Sequence, residues 1–141
     1  MLSQQISKLS ETRHFVTAPP TTNVAEAAAL MLARGVAAVL VVEKGALAGI
    51  FTERDAVFRV LAQSRDAHTV PIGEVMTPRP VTVTPDATFG RAMLLMHEHH
   101  FRHLPVVDDG NKAIGIVSAR DALDPELEDF ICEERRREQF R

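Results

Sequence analysis

The sequence predicts a mixed α/β (α+β) fold made of two copies of one β-α-β-β-α unit that face each other. A segment of eight residues recurs with five identities, first at residues 49–56 and again at 115–122. These copies lie 66 residues apart, and upstream landmarks such as Leu30 and Leu95 lie 65 apart, so the repeat keeps its register through polar and apolar positions. The same order of strand and helix signals also occurs in both halves, as expected for a duplicated supersecondary unit.

Each unit opens with a short β-branched stretch, at residues 15–17 or 81–84, which ends at a proline. A helix follows in each copy, over Val24–Arg34 and over Phe89–His99, because apolar residues recur there at three- and four-residue spacing. The candidate caps are Thr22 or Asn23 with Gly35 as the stop in the first copy, and Asp86 or Thr88 in the second.

Two strands complete the sheet of each unit, and their near-continuous apolar runs predict burial on both faces. They are expected at residues 37–42 and 46–51, and at 103–107 and 113–117, with a turn one residue longer in the second copy. A second helix then opens at Thr52 or Ser118. The predicted organisation is an N-terminal segment with the first unit (1–63), a connector (64–80), the second unit (81–124) and a C-terminal helix (125–141).

Composition excludes several classes of protein. The 141 residues are 45% hydrophobic with a net charge of −3, which is ordinary for a globular domain and gives no electrostatic reason to expect nucleic-acid binding. No apolar run approaches the roughly 20 residues of a membrane span, and the N-terminus lacks the features of a signal peptide. The single cysteine, Cys132, forms no internal disulfide. A cytoplasmic protein without a membrane or nucleic-acid partner is expected.

Over residues 10–124 the chain resembles a tandem pair of CBS motifs, the regulatory Bateman module. The resemblance rests on the paired G-h-h-[TS]-x-x-D signatures, on Leu-Pro-Val-Val at 104–107 and on Met-Thr-Pro at 76–78. It implies two units packed sheet to sheet about a pseudo-twofold axis, with two clefts that commonly hold AMP, ADP, ATP or S-adenosylmethionine. It also implies a homodimer. The tail residues Leu127, Phe130 and Ile131 form an apolar stripe that we expect to contribute to such an interface.

The signature residues have a chemistry that suits a nucleotide. A carboxylate three residues into a helix, as at Asp55 and Asp121, can accept hydrogen bonds from both ribose hydroxyls. The hydroxyls of Thr52 and Ser118 precede the same helices and can bind either the helix or a phosphate. The alternative is that Thr-x-x-Asp and Ser-x-x-Asp are only capping arrangements.

The phosphate end of the two clefts differs in the sequence. The resemblance implies that Arg102 and His103 reach phosphates, and the matching first-half positions are Ala37 and Ala38. The cleft of Asp121, Ser118, Arg102 and His103 is therefore expected to be the better phosphate site. Thr77 and its repeat equivalent Thr12 are further candidates, because the family uses this position to contact sugar or phosphate.

A metal site and an enzyme are not expected. His97, His99, His100 and His103 have partly helical spacing, but no cysteine lies near them and His103 falls in a strand. Histidines are also favoured at the carboxyl end of a helix by its dipole. No Gly-rich phosphate loop, nucleophile elbow or paired-carboxylate motif occurs.

The sequence thus predicts a stand-alone CBS pair that senses adenosine nucleotides and relays their occupancy to a partner protein. Its rival is a dimerisation and docking module whose clefts bind no ligand. An enzyme or metal-handling protein built on the histidine cluster is a third and weaker hypothesis.

Overall fold

The computed structural model describes residues 2–10 and 14–140, with the backbone alone at 9, 10 and 122–128. Its strands are β1 (Thr17–Ala18), β2 (Ala38–Glu43), β3 (Ala46–Thr52), β4 (Thr77–Pro78), β5 (His103–Val107) and β6 (Ala113–Ser118). Its helices are α1 (Ser7–Ser10), α2 (Val24–Arg34), α3 (Glu53–Asp55, continued by a π-helix over Ala56–Leu61), α4 (Ile72–Val75), α5 (Phe89–His99) and α6 (Arg120–Gln139).

The first unit forms a four-stranded sheet in the order β1-β2-β3-β4. Strands β2 and β3 are antiparallel, and β4, at the end of the connector, adds to the edge of β3. Helix α2 has the predicted bounds. The side chain of Asn23 accepts a hydrogen bond from Glu26 N at 2.8 Å, and Gly35 ends the helix in a left-handed conformation.

The second unit repeats this arrangement with a smaller sheet of β5 and β6. Thr88 caps α5 by accepting from Arg91 N at 3.2 Å. The strand predicted at 81–84 is reduced to a single parallel bridge between Val83 and Val106. The prolines on either side, at 80 and 85, carry no N–H, which limits how far such a segment pairs.

The two sheets pack against each other through a shared apolar cluster, which we call the seam. Its buried members come from both units and are Ala38, Leu40, Leu47, Ile50, Val107 and Ile116. Ile50 and Ile116 are repeat equivalents, as expected for units related by a pseudo-twofold axis. Each unit also has its own core on the helical side of its sheet. The predicted fold class is confirmed.

The N-terminal segment contacts the second unit rather than the first. Ile6 is fully buried in the core of the second unit, and its backbone N donates to Ala87 O at 2.9 Å. Phe89 N and Gly90 N donate to the carbonyls of Gln4 and Leu2, each at 2.8 Å. Along the chain this segment precedes the first unit, with which the sequence analysis grouped it, but these contacts are with the second unit.

The C-terminal helix differs from its prediction. One helix, α6, runs from Arg120 through Pro125 to Gln139, whereas the sequence suggested a helix opening at Ser118 and another beginning after Pro125. Pro125 is the sixth residue of α6, where a proline lacks the N–H that would bond to the carbonyl of residue 121, and the helix continues through it. Phe130 is 60% exposed and Ile131 38%, and the side chain of Leu127 lies outside the described residues. Among the described residues, no helix is both long and apolar enough to cross a membrane.

Candidate functional site

The first signature forms a tight local network at the junction of β3 and α3. Thr52 N donates to Asp55 Oδ2 at 2.9 Å, and Thr52 Oγ1 donates to the same oxygen at 3.3 Å. The other oxygen, Asp55 Oδ1, lies 3.5 Å from Nε of Arg59. The capping role therefore occupies one oxygen of this carboxylate, and an ion pair faces the other.

The second signature has the same backbone bond with a different hydroxyl contact. Ser118 N donates to Asp121 Oδ2 at 2.8 Å, and Ser118 Oγ accepts from Arg120 N at 3.1 Å. Both Ser118 and Asp121 are 6% exposed. The Ser118 hydroxyl thus accepts from a backbone N–H in the first turn of α6. In the first unit, by contrast, the Thr52 hydroxyl donates to Asp55.

Burial dominates the electrostatics of Asp55. Desolvation raises the pKa of its carboxyl group above the ordinary value, because the charged form loses contact with water. The hydrogen bond from Thr52 N, the charge of Arg59, the Thr52 hydroxyl and the charge of Arg54 each act in the opposite direction without cancelling this effect.

An open cleft with about 480 Å³ of empty space lies between the two units. The first unit and the segment leading into β1 contribute His14, Phe15, Gly35, Val36, Ala37 and Ala38, and the second unit contributes His103, Ile116, Ser118 and Arg120. That volume includes space that is open to solvent. Both units build the cleft, so a ligand there would contact both.

The chemistry of the cleft combines cationic and apolar groups. Arg120, in the first turn of the 20-residue helix α6, and the imidazoles of His14 and His103 are the basic groups in its lining. The positive end of a helix dipole favours anions at such a place. Phe15, Val36 and Ile116 supply apolar surface. The lining suits a molecule with an anionic end and an apolar or planar body.

The structure brings together some predicted site residues and separates others. Ser118 and His103 line the cleft, and Asp121 adjoins it through its hydrogen bond with Ser118. Arg102 is exposed and is not among the lining residues. Ala37 and Ala38, which the sequence analysis assigned to the opposite cleft, lie in this one. The reason is that the strand start of one unit faces the strand end of the other, which the order of residues along one repeat does not reveal.

The remaining candidates belong to the first unit or lie outside the described residues. Thr77 is exposed in β4 and pairs with Ile50, two residues before Thr52 on the neighbouring strand. It therefore lies on the side of the molecule that carries Thr52 and Asp55. Thr12 lies outside the described residues.

Sequence reasoning missed His14 and set aside Arg120. A signal for His14 exists in the repeat: its equivalent, 65 residues on, is Arg79, so both units place a basic residue just before their first strand. Arg120, which is not among the site residues predicted from the sequence, lies in the cleft lining.

The histidine cluster does not form a metal centre in the described part of the chain. There, no group of three or more His, Cys, Asp or Glu side chains is arranged to hold a metal ion. His99 stacks on Phe101 with ring centroids 5.4 Å apart, and His100 ends α5 in a left-handed conformation.

Comparison with known proteins identifies the repeat. The model of the CBS domain family matches residues 6–62 and 72–126. The chain is 41% identical to the CBS domain-containing protein YhcV of Bacillus subtilis over 110 residues, which cover 78% of this chain and 77% of YhcV.

Solved structures with the same fold contain bound adenosine compounds. The CBS domain protein PAE2072 from Pyrobaculum aerophilum, complexed with AMP, matches 84% of this chain and 89% of its own with a TM-score of 0.76 and 26% identity. The CBS domain pair of protein MJ0100, complexed with 5′-methylthioadenosine and S-adenosyl-L-methionine, matches 84% of this chain and 96% of its own with the same TM-score and identity. A hexameric CBS-CP12 protein from cyanobacteria matches 88% of this chain and 68% of its own, with a TM-score of 0.78 and 28% identity.

Proposed function

Since this chain belongs to the CBS-domain family, we propose that it is a regulatory module that binds an adenosine nucleotide between its two units. The observation that carries the proposal is the cleft lined by both units, in which His14, His103 and Arg120 accompany the Ser118–Asp121 pair. Structures of similar proteins with AMP, 5′-methylthioadenosine or S-adenosylmethionine support this class of ligand.

Each part of the nucleotide has a complementary group. Asp121 accepts hydrogen bonds from the ribose hydroxyls, and Ser118 and Arg120 bind the phosphate at the start of α6. His103 and His14 add imidazole nitrogens that can donate to the phosphate. The adenine contacts the apolar surface of Phe15, Val36 and Ile116. AMP, ADP, ATP and S-adenosylmethionine all have the ribose and base that this site recognises.

The second cleft follows from repeat equivalence. Arg102 stands where Ala37 stands in the first unit, so it serves the cleft of Thr52, Asp55 and Thr77 rather than that of Asp121. Both clefts then have basic groups, although different ones. We propose that occupancy alters the relation between the units and is relayed to a partner protein, that the module catalyses no reaction of its own, and that it works in the cytoplasm as a homodimer.

One observation favours the alternative of a ligand-free interaction module. Both signature carboxylates already accept a hydrogen bond from the backbone three residues earlier, at 2.9 and 2.8 Å, as a purely capping residue would. Such a module would act through dimerisation and docking.

Calorimetry with AMP, ATP and S-adenosylmethionine separates the two functions. Loss of the charge-assisted bonds in Asp121→Ala should weaken binding by about tenfold to more than a hundredfold. The 2′-deoxy ligand should show part of the same loss. Asp109→Ala, in the exposed turn between β5 and β6, is the matched control and should bind as the wild type does. Equal affinities for wild type and Asp121→Ala would favour the interaction module.

A further inference from the structure

Arg59 contacts both a candidate ligand group and the connector between the units. Its Nε lies 3.5 Å from Asp55 Oδ1. Its Nη1 donates to Val75 O at 3.2 Å and to Met76 O at 3.0 Å. One guanidinium group therefore joins the carboxylate of the first signature to the last residues before β4.

The sequence does not repeat Arg59 in the second unit. The repeat equivalent of Arg59, 66 residues on, is Pro125, which has neither a charge nor a side-chain donor. Arg59 also lies in a π-helical segment, Ala56–Leu61, and such segments are frequently found at functional sites.

We infer that Arg59 is a positioning residue that couples the Asp55 carboxylate to the connector. The Asp55 side chain is 9% exposed and that of Arg59 is 46% exposed, so the pair is buried at the carboxylate and reaches solvent at the guanidinium. A change in the charge of Asp55 alters its attraction for the Arg59 guanidinium. Arg59 in turn donates hydrogen bonds to the carbonyls of Val75 and Met76.

The regulatory consequence rests on the proposed function. A ribose diol that donates to Asp55 shares the carboxylate with Arg59, and this changes the hydrogen bonds by which Arg59 binds the connector. If ligand binding at that cleft changes the conformational equilibrium of the connector by some factor, then by linkage the corresponding change in the connector alters the affinity of the cleft by the same factor. Occupancy of the first cleft is then transmitted to the segment that joins the units.

A double-mutant cycle in the ligand-free protein tests the coupling. Arg59→Gln and Asp55→Asn should each speed hydrogen exchange of the amides at 72–77 by about tenfold, the loss expected for one charge-assisted hydrogen bond. Combined, they should do little more than either alone, because they break the same link. Arg59→Gln should also raise the titration midpoint of Asp55, which a purely structural arginine would not affect. Additive exchange effects, or an unchanged Asp55 midpoint, would overturn the inference.

Two further variants refine the cycle. Arg65 binds Glu74 of the connector at 2.6 Å, so Arg65→Gln should loosen the connector and leave the Asp55 midpoint unchanged. Arg59→Lys should restore the Asp55 midpoint but not the slow exchange, because one ammonium cannot reproduce the planar fork of donors.

AMP then tests the link to the ligand. AMP should change the exchange of the amides at 72–77 in wild type, and this response should be lost in Arg59→Gln. An equal response in both, or none in a wild type that binds AMP, contradicts the coupling to ligand. If calorimetry detects no binding of AMP, ATP or S-adenosylmethionine, the proposed function fails and the ligand-free cycle alone decides the role of Arg59.

Discussion

Leu47 and Asn111 exchange two hydrogen bonds across the boundary between the units. Leu47 N donates to Asn111 O at 3.0 Å, and Asn111 Nδ2 donates to Leu47 O at 3.1 Å. Asn111 belongs to the longer of the two hairpin turns and has a positive φ of 61°. The additional length of that turn thus supplies a polar link beside the apolar seam.

We expect the two units to fold as one body. The seam residues Leu40 and Val107 are buried only because the opposite sheet covers them. Fragments cut at Ser64 should therefore be insoluble or molten when expressed apart. Denaturant unfolding checks this: the intact chain should give one cooperative transition, and two cooperative transitions from isolated fragments would contradict it.

Asp55→Asn should raise the global stability of the ligand-free protein at neutral pH, although it loosens the connector locally. Burial raises the folded pKa of Asp55, so its contribution to stability is present below about pH 4 and is lost as pH rises through the folded value. At pH 7 the wild type bears the full cost of a buried charge, which the neutral asparagine avoids. Urea midpoints should differ at pH 7 and converge near pH 4, with Asp109→Asn as an exposed control. A lower midpoint for Asp55→Asn at pH 7 would refute this account.

Gly49→Ala should destabilise the protein through the connector. A Cβ at Gly49 would meet Met76 Sδ and would lie 2.8 Å from Thr77 O in the backbone of β4. Displacing that strand should cost roughly 1 to 3 kcal/mol. Gly110→Ala is the matched control, since its nearest neighbour would be Asp108 Oδ1 at 3.5 Å. Similar melting temperatures for the two variants would exclude this role for Gly49.

His103→Gln should weaken phosphate binding more at low pH than at high pH. Imidazole gains its charge as pH falls past about 6.5, so the wild type should outbind the variant for ATP by roughly threefold to tenfold at pH 6 and by less at pH 8. Adenosine should bind both proteins alike. Comparing the two proteins at each pH removes the titration of the phosphates themselves. A ratio that does not change with pH would remove His103 from the phosphate site.

We predict that Phe130 contributes to a homodimer interface. Its ring is 60% exposed on α6, and the neighbouring Ile131 is also partly exposed. Light scattering at tens of micromolar should give twice the chain mass for wild type and a smaller average mass for Phe130→Glu. Ser3→Glu, at an exposed position of the N-terminal segment, is the control. A monomeric or hexameric wild type would contradict the dimer.

The duplication made much of this fold predictable. The bounds of α2 and α5 agree with the sequence because caps at Asn23 and Thr88 coincide with the start of apolar periodicity. The repeat shows which residues are equivalent, but not which of them meet across a twofold axis. For that reason the sequence did not indicate that Ala37 lines the cleft of Ser118 or that Arg102 is not among its lining residues.

Two further features could not be predicted from the sequence, because each depends on contacts that the repeat does not specify. Ile6 precedes the repeat, so nothing in its position indicated burial in the second unit. Arg59 interacts with Asp55 at a spacing common on any helix, and only the fold brings Val75 and Met76 to the same guanidinium.

Because residues of both units line the cleft, the seam that holds the units together would also affect the binding of a ligand there. A molecule between His14 and Ser118 gains its contacts only while both sheets stay closed, so its apparent affinity scales with the closed fraction. A substitution at Leu40, deep in the seam, would then lower the apparent affinity for that molecule. Substitutions in the apolar core of such a chain would thus change the ligand concentration at which it responds, without altering any group that contacts the ligand.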